Sequence, residues 1–215
     1  MLRKEYEIIG PFVKWPWKKF TFREIKKLAG KKSESYVYNS LKKFVKTGIL
    51  KEEKAGNVVL YSIELRSLKA CIYSGIVAEH LAWSKNRIPY IDIDKISGKI
   101  PTPFYILIIT GSYASGKQNP KSDIDMVIIC DDPMEPQKIY AQLRQKCELN
   151  IPPIHLYVFK KSEFLEMLVN KEANYGKEIA ENNLILSGGR EYYGIISEAV
   201  QNGFNGEDIY RKVWE

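Results

Sequence analysis

The sequence has few of the features that mark secreted, zinc-binding or membrane-spanning proteins. Its three cysteines, Cys71, Cys130 and Cys147, are scattered and show no Cys-x-x-Cys spacing, so neither a disulfide framework nor a zinc site is indicated. No apolar block follows the charged N-terminus, and no run approaches the roughly 20 apolar residues that a membrane helix needs. No internal repeat or low-complexity segment is visible. We therefore expect a cytoplasmic protein with reduced cysteines and no membrane contact.

Positive charge is concentrated at one end of the chain. Residues 1–65 hold 15 Lys and Arg against 7 Asp and Glu, whereas residues 66–215 hold 18 against 19. The net charge of +7 therefore comes entirely from the N-terminal part. A positive field confined to one region favours a polyanionic partner, nucleic acid first and an acidic protein second.

Length and composition favour two domains. A chain of 215 residues with 45% hydrophobic content can bury one large core or two smaller ones. The pattern of helix and strand signals changes along the chain. We predict an N-terminal domain over residues 1–65, a connecting helix over 66–85 and a C-terminal domain over 86–215.

The N-terminal domain shows signals for three helices followed by a hairpin. Thr21-Phe22-Arg23-Glu24 has the Thr and Glu of a capping box. Ser33 can cap the next helix, and Gly48 stands where a helix-terminating glycine is expected. The predicted elements are helices over residues 2–13, 21–30 and 33–46, with hairpin strands over 49–52 and 58–63 and a tip over 53–57.

This order of elements resembles a winged helix-turn-helix domain. The pattern Ser33…Leu41-Lys42-Lys43-Phe44-Val45…Gly48-Ile49-Leu50 is similar to the recognition helix and first wing strand of archaeal transcription regulators. The resemblance implies that the helix from Ser33 to Lys46 enters the major groove of double-stranded DNA. The predicted DNA-binding residues lie opposite the apolar stripe or near the hairpin tip: Ser35, Tyr36, Asn39, Lys42, Lys43 and Lys54. Lys and Ser suit phosphates, whereas Tyr36 and Asn39 suit base edges. The alternative is a solvated face on a dimerisation or protein-docking domain.

The region between the two domains gives weaker signals. Leu68, Ile72, Ile76 and Trp83 recur at helical spacing and predict the connecting helix. Residues 85–103 contain three prolines and a polar mixture, which predict a loop or a short strand.

The most informative stretch runs from Phe104 to Ile129. Residues 105–109 are a short apolar run ended by Gly111, which predicts a strand buried on both faces. Gly111 and Ser112 give the backbone freedom that a phosphate-binding turn needs. Asp123 and Asp125 stand two residues apart in a second apolar run, so their carboxylates share one face of a strand. Two adjacent carboxylates repel each other, and a divalent cation between them relieves that repulsion.

The spacing Gly111-Ser112, ten residues, Asp123-x-Asp125 resembles the signature of the nucleotidyltransferase superfamily that includes DNA polymerase beta, especially its minimal archaeal and bacterial members. Gly116 and Ser122 also fit that pattern. The resemblance implies an α/β (α+β) fold with a mixed sheet flanked by helices. It further implies metal-dependent transfer of a nucleoside monophosphate from a nucleoside triphosphate to a hydroxyl, with Mg²⁺ or Mn²⁺. The implied nucleotide-binding residues are Gly111, Ser112, Lys117 and Ser122, and the implied metal ligands are Asp123 and Asp125. The competing interpretation is a Gly-Ser hairpin followed by an acidic strand edge.

Two positions depart from the family pattern. Where a third carboxylate is expected, on the predicted strand over residues 154–159, this chain has His155. An imidazole can act as a base or a metal ligand, which makes His155 the third catalytic candidate and favours Mn²⁺; the alternative is an ordinary strand histidine. Ser115 replaces an arginine that would face the phosphates, and Lys117 and Lys121 are the nearest cations along the chain.

The missing acid leaves a second function open. The chain could be a transcription regulator or antitoxin-like protein whose nucleotidyltransferase domain only binds nucleotide or is inactive. The resemblance also implies a helical, toxin-type protein partner, and a homodimer is left open. Beyond the central stretch, the pattern predicts helices over residues 135–147, after Ser162 and through Tyr175 and Ile179. One or two short C-terminal helices ending at Trp214 are also predicted.

Overall fold

Residues 4–206 are described in a computed structural model of the chain, and they divide into two units. Within the described part, the first unit comprises residues 4–78 and 189–206, and the second comprises residues 79–188. Sequence analysis had assigned residues 189–206 to the C-terminal domain instead. Leu2 and Trp214, which contributed to the predicted first and last helices, lie outside the described residues.

The secondary structure follows the order expected from the sequence, with four added elements: the strands Phe20–Thr21 and Leu184–Ser187 and the helices Tyr90–Ser97 and Gly111–Ser115. The elements are α1 (Tyr6–Lys14), β1 (Phe20–Thr21), α2 (Phe22–Leu28), α3 (Glu34–Lys46), β2 (Leu50–Ala55), β3 (Val58–Ile63), α4 (Leu68–Trp83), α5 (Tyr90–Ser97), β4 (Tyr105–Thr110), α6 (Gly111–Ser115), β5 (Ile124–Cys130), α7 (Pro136–Glu148), β6 (Ile154–Lys160), α8 (Lys161–Val169), α9 (Tyr175–Glu181), β7 (Leu184–Ser187) and α10 (Gly189–Gln201).

Both helix caps predicted for the first unit are present. The Thr21 hydroxyl accepts a hydrogen bond from the Glu24 amide at 3.3 Å, and the Glu24 carboxylate accepts one from the Thr21 amide at 2.7 Å. The Ser33 hydroxyl accepts from the Tyr36 amide at 3.2 Å and starts α3. These bonds satisfy amides that have no partner inside the helix, so the local sequence determines where α2 and α3 begin.

A three-stranded antiparallel sheet, in the order β1-β3-β2, completes the N-terminal part of the first unit. Ala55 pairs with Val58, so the β2–β3 turn consists only of Gly56 and Asn57. The predicted five-residue tip was too long. Lys54 therefore lies within β2, opposite Val59, and not in the turn.

The core of the first unit uses the predicted stripe of α3 and the aromatic residues of α10. Val37, Leu41 and Phe44 are all buried. Tyr193 of α10 is 1% exposed, and its hydroxyl donates a hydrogen bond to the Val13 carbonyl at 2.7 Å. This buried bond joins two segments that are 180 residues apart in the chain.

The connecting helix α4 is present, but the apolar residues that indicated it are exposed. Leu68, Ile72, Ile76 and Trp83 have 60%, 40%, 48% and 44% exposure. The buried positions of this helix are instead mostly small: Ala70, Cys71, Ser74, Val77, Ala78 and Ala82. Small residues face the interior because backbones approach closely there; a Cβ on Gly75 would overlap the backbone at Gly189.

The second unit is built on a four-stranded mixed sheet in the order β6-β5-β4-β7. β4 pairs antiparallel with β5 and β7, whereas β5 and β6 run parallel. β4 and β5 are buried along nearly their whole length. The predicted α/β (α+β) class, with a mixed sheet flanked by helices, is confirmed.

Residues 85–103 were predicted wrongly as a loop or short strand, because they contain helix α5. Ile93 and Ile96 of α5 are buried in the core beneath the sheet. Pro89 immediately precedes the helix, where the missing amide proton of proline costs nothing. Asp92 and Asp94, a second pair of aspartates two residues apart in the sequence, both lie on α5. Asp92 lies 3.5 Å from Lys95, and the pair forms no part of the site described below.

The cysteines and the helices match the absences noted in the sequence. Cys71, Cys130 and Cys147 are free and buried. Over residues 4–206, the helices include none that is both long and apolar enough to cross a bilayer.

Candidate active site

Two strands of the second unit bring three candidate catalytic side chains together. Asp125 on β5 lies in register with His155 on the parallel strand β6, so their side chains are neighbours on one face. The His155 Nε2 atom lies 3.2 Å from Oδ2 of Asp123, and its Nδ1 atom lies 3.8 Å from Oδ1 of Asp125. His155 therefore stands against both carboxylates, at the position where the family resemblance implies a third acid.

The glycine turn lies directly against Asp125, one of the two aspartates. Gly111 has a φ of 65° and begins the five-residue helix α6 directly after β4. A Cβ on Gly111 would overlap Oδ2 of Asp125, so a side chain at this position would displace the carboxylate. Two requirements therefore select glycine here: the left-handed backbone and the close approach of Asp125.

Asn182, which sequence analysis missed, holds this turn in place. Its Nδ2 atom donates a hydrogen bond to the Gly111 carbonyl at 2.7 Å, and its own carbonyl accepts one from the Thr110 hydroxyl at 2.6 Å. Asn182 follows α9 and lies 71 residues from Gly111 along the chain. No local pattern could have indicated the contact, because it depends on β7 pairing beside β4.

The loop between α6 and β5 contains the remaining predicted nucleotide-binding residues. The Ser122 hydroxyl accepts a hydrogen bond from the Asn119 amide at 2.9 Å and so closes a turn, although its own proton remains available. Lys117 is exposed and has no ion pair among the described residues. Arg87, also unforeseen, donates from Nη1 to the Gly116 carbonyl at 3.4 Å. Arg87 thus brings a guanidinium to the loop in which Ser115 replaces the expected arginine.

The site is partly screened from water. Burial raises the pKa of Asp125; the neighbouring His155 opposes this rise and Asp123 adds to it. Beside them, the ring of Tyr157 lies 4.8 Å from that of Tyr175. Burial raises the pKa of Tyr175 well above its usual range, so this phenol stays neutral. Aromatic rings therefore border the carboxylates on one side and strengthen electrostatic interactions there.

The acidic pair fits a metal shared with a substrate better than a metal held by protein alone. Among residues 4–206, no group of three or more His, Cys, Asp or Glu side chains is placed to hold a metal ion. Mg²⁺, however, commonly takes one or two carboxylates and completes its shell with water and substrate phosphates. Asp123 and Asp125 supply that minimum, and the absence of a side chain at Gly111 gives the Asp125 carboxylate the room that it occupies.

The predicted DNA-binding residues lie in the first unit and differ in how far their side chains are exposed to solvent. Asn39 and Ser35 are exposed on α3, and the Asn39 side chain donates to the Ser35 hydroxyl at 3.4 Å. Tyr36 is half-buried and its hydroxyl oxygen is buried, so, contrary to expectation, this hydroxyl does not face solvent.

The two lysines of this set on α3 are already paired. Lys42 lies 3.1 Å from Glu52 on β2, and Lys43 lies 2.8 Å from Glu5. Lys54 is exposed on β2. Only part of the predicted positive surface is therefore without a counter-charge.

One of three comparisons with known proteins, the match to a family model, covers the site in the second unit. A search among curated proteins finds no significant match. A solved structure of a toxin-antitoxin with AMP-PNP aligns with 53% of this chain and 87% of its own, with 15% identity and a TM-score of 0.39. Similarity at that level does not establish a shared fold. Residues 105–186 match the family model of the nucleotidyltransferase domain, and they include the glycine turn, both aspartates, His155 and Asn182.

Proposed function

We propose that the chain is a DNA-binding nucleotidyltransferase that moves a nucleoside monophosphate from a nucleoside triphosphate to a hydroxyl acceptor. One observation carries the enzymatic part: the Gly111 turn, which can approach phosphate closely, lies directly against Asp125, and His155 lies between Asp125 and Asp123. A phosphate cradle beside paired carboxylates is the arrangement that phosphoryl and nucleotidyl transfer require.

Each residue has a distinct task in this reaction. The backbone of Gly111 and Ser112, kept in place by Asn182, binds the triphosphate. Lys117 and Arg87 add positive charge at the loop. His155 takes the proton from the acceptor hydroxyl, because a neutral imidazole is a base near neutral pH. The acceptor oxygen forms a bond to the α-phosphorus, and the bond to pyrophosphate breaks.

The acidic pair supports a divalent cation in this proposal. Asp123 and Asp125 would hold Mg²⁺ or Mn²⁺ together with the substrate phosphates. When bound, the ion supplies charge stabilisation for the phosphate oxygens. Without it, the pair would place two carboxylates against the phosphates and repel them.

Isotope-labelled nucleotides test the enzymatic part. The wild-type chain should release pyrophosphate from at least one α-labelled triphosphate in Mg²⁺ or Mn²⁺. Asp123→Asn and Asp125→Asn should each reduce the rate by about a hundredfold or more, in line with the loss of a charged group that acts in the transition state. Asp94→Asn is the matched control, because Asp94 belongs to a similarly spaced pair on α5 and should leave the rate unchanged. Equal rates for all three variants would exclude the acidic pair from the chemistry.

His155 favours one alternative, a regulator or antitoxin-like protein that binds nucleotide without turning it over. A carboxylate at this position would give the metal ion a third oxygen ligand, whereas an imidazole offers only nitrogen. In that case the wild-type chain would bind nucleotide without releasing pyrophosphate, and His155→Asp would gain activity. If His155→Asp instead lowers a measurable wild-type rate, His155 acts in the reaction.

The DNA-binding part rests on the first unit, whose three helices and antiparallel hairpin support our winged-helix assignment. The exposed Ser35, Asn39 and Lys54 are available to a duplex. A helical protein partner remains part of the proposal through the family resemblance alone, and a homodimer is a separate, open part of it. Size-exclusion chromatography with light scattering would test the dimer.

A further inference from the structure

We propose that the phosphate backbone of duplex DNA is held mainly by a basic cluster around α2, and not by the lysines of α3. The α2 cluster consists of Arg23, Lys26, Lys27, Lys31 and Lys32. This inference rests on the proposed DNA binding, and it names the surface that carries out that binding.

The cluster is formed by helical spacing and a tight turn. Arg23, Lys26 and Lys27 stand at positions i, i+3 and i+4 of α2 and so share one side of the helix. Gly30, with a φ of 63°, then turns the chain and brings Lys31 and Lys32 towards the same side. Together these residues line a concavity of about 580 Å³, in which Glu34 is the only acidic residue.

Three of the five cations carry no counter-charge. Lys26 lies 2.6 Å from Glu34, and Lys31 pairs with Glu7. Arg23, Lys27 and Lys32 are exposed and form no salt bridge with any residue between 4 and 206. Counter-ions from solution must balance these three groups, and a polyanion that binds there releases those ions.

The corresponding lysines of α3 are neutralised by nearby carboxylates. Both lysines assigned to DNA there, Lys42 and Lys43, have carboxylate partners within 3.1 Å. Each would have to exchange Glu52 or Glu5 for a phosphate, which cancels much of the gain. Arg23, Lys27 and Lys32 need no such exchange, because none of them forms a salt bridge among the described residues.

Duplex DNA fits this surface better than a membrane does. A helix that lies on a bilayer needs a broad apolar face. In α2 the central apolar side chain, Ile25, is fully buried in the protein core. Leu28 is 48% exposed on α2, but this one side chain does not make a broad apolar face. Ser35 and Asn39 are exposed on the helix that follows Lys32. Arginine and lysine beside polar side chains form the composition that contacts phosphates and groove edges.

Two triple variants of the full chain test the inference at equal net charge. Arg23→Ala/Lys27→Ala/Lys32→Ala removes the unpaired cations of the cluster. Lys99→Ala/Lys146→Ala/Lys171→Ala is the control, because these exposed lysines also have no salt bridge among the described residues. Fluorescence anisotropy with a labelled duplex, from about 0.05 to 0.3 M salt, gives the affinity and its salt dependence.

The cluster variant should lose about tenfold or more in affinity at 0.15 M salt. The negative slope of log K against log salt concentration should become shallower by about 2.7, that is, by about 0.9 for each of the three lost phosphate contacts. The control should stay within about twofold of the wild type. Lys42→Ala/Lys43→Ala should lose less affinity than the cluster variant. Circular dichroism checks folding; if the alanine variant is not folded, Arg23→Gln/Lys27→Gln/Lys32→Gln replaces it, with the same expected loss.

The contrary outcomes are distinct. If the cluster variant binds DNA as tightly as the wild type, this inference fails while the proposed DNA binding stands. If Lys42→Ala/Lys43→Ala loses more than the cluster variant, α3 is the main phosphate contact and the inference also fails. If the wild type binds no duplex, or binds only vesicles containing phosphatidylserine, both the inference and the proposed DNA binding fail.

Discussion

Gly111→Ala should destabilise the second unit by more than its backbone conformation alone explains. An L-residue in the left-handed region costs about 1–2 kcal/mol. The new methyl group would also overlap Oδ2 of Asp125, and overpacking of this kind costs about 1–3 kcal/mol more. We therefore expect a loss of about 2–5 kcal/mol in total.

Gly116→Ala separates the two terms. Gly116 also has a positive φ, 72°, and ends the same short helix, but nothing lies within 4 Å of the Cβ that alanine would add. It should lose only the conformational term of about 1–2 kcal/mol. The difference between the two variants then measures the collision with Asp125.

Hydrogen exchange of the β4 and β5 amides is the suitable assay, because it reports the local free energy of opening in one unit. A double-mutant cycle adds a second measurement: in an Asp125→Ala background, Gly111→Ala should cost no more than Gly116→Ala, because the obstructing carboxylate is gone. If Gly111→Ala is as mild as Gly116→Ala in the wild-type background, Asp125 does not lie against the turn, and the contact that supports the proposed function is refuted.

Three further outcomes follow from the described contacts. Burial raises the pKa of Asp125, so the stability that its protonated form contributes is lost as the pH rises through that pKa. In metal-free buffer, Asp125→Asn should therefore raise the melting temperature at pH 7. This gain should disappear below about pH 3.9, where the carboxyl is protonated in both the folded and the unfolded state. Asn182→Ala removes the donor to the Gly111 carbonyl, which should weaken nucleotide binding about fivefold, the equivalent of about 1 kcal/mol, in calorimetric titrations with Mg²⁺. Thr21→Ala breaks the capping box of α2 and should lower the free energy of unfolding by about 1 kcal/mol in urea titrations, whereas Thr21→Ser should retain most of it.

Local signals in the sequence predicted much of the fold. Three strands of the second unit, β4, β5 and β6, were predicted because they are short apolar runs of strand length. The starts of α2 and α3 were predicted because Thr21 and Ser33 use their own hydroxyls as caps. The two aspartates could be placed on one face because a strand repeats every two residues. Each of these inferences needs only neighbouring residues.

Long-range contacts limited the rest. The pairing of Lys42 with Glu52 depends on the packing of α3 against β2, so the sequence overstated the free positive charge on α3. The contact of Asn182 with Gly111 spans most of the domain. In α4 the spacing of the apolar residues correctly predicted a helix, but the side of the helix that carries them is exposed and not buried. Close backbone packing at Gly75 requires small residues on the buried side instead.

The hydrogen bond from Tyr193 to Val13 has a practical consequence for dissecting the protein. The first unit is made of two sequence segments that flank the second, so a single cut cannot release it intact. A fragment ending near residue 78 would lack α10, leave the Val13 carbonyl without its donor and expose the surface that Tyr192 and Tyr193 cover. During synthesis, the first unit likewise cannot be completed until the whole of residues 79–188 has been translated.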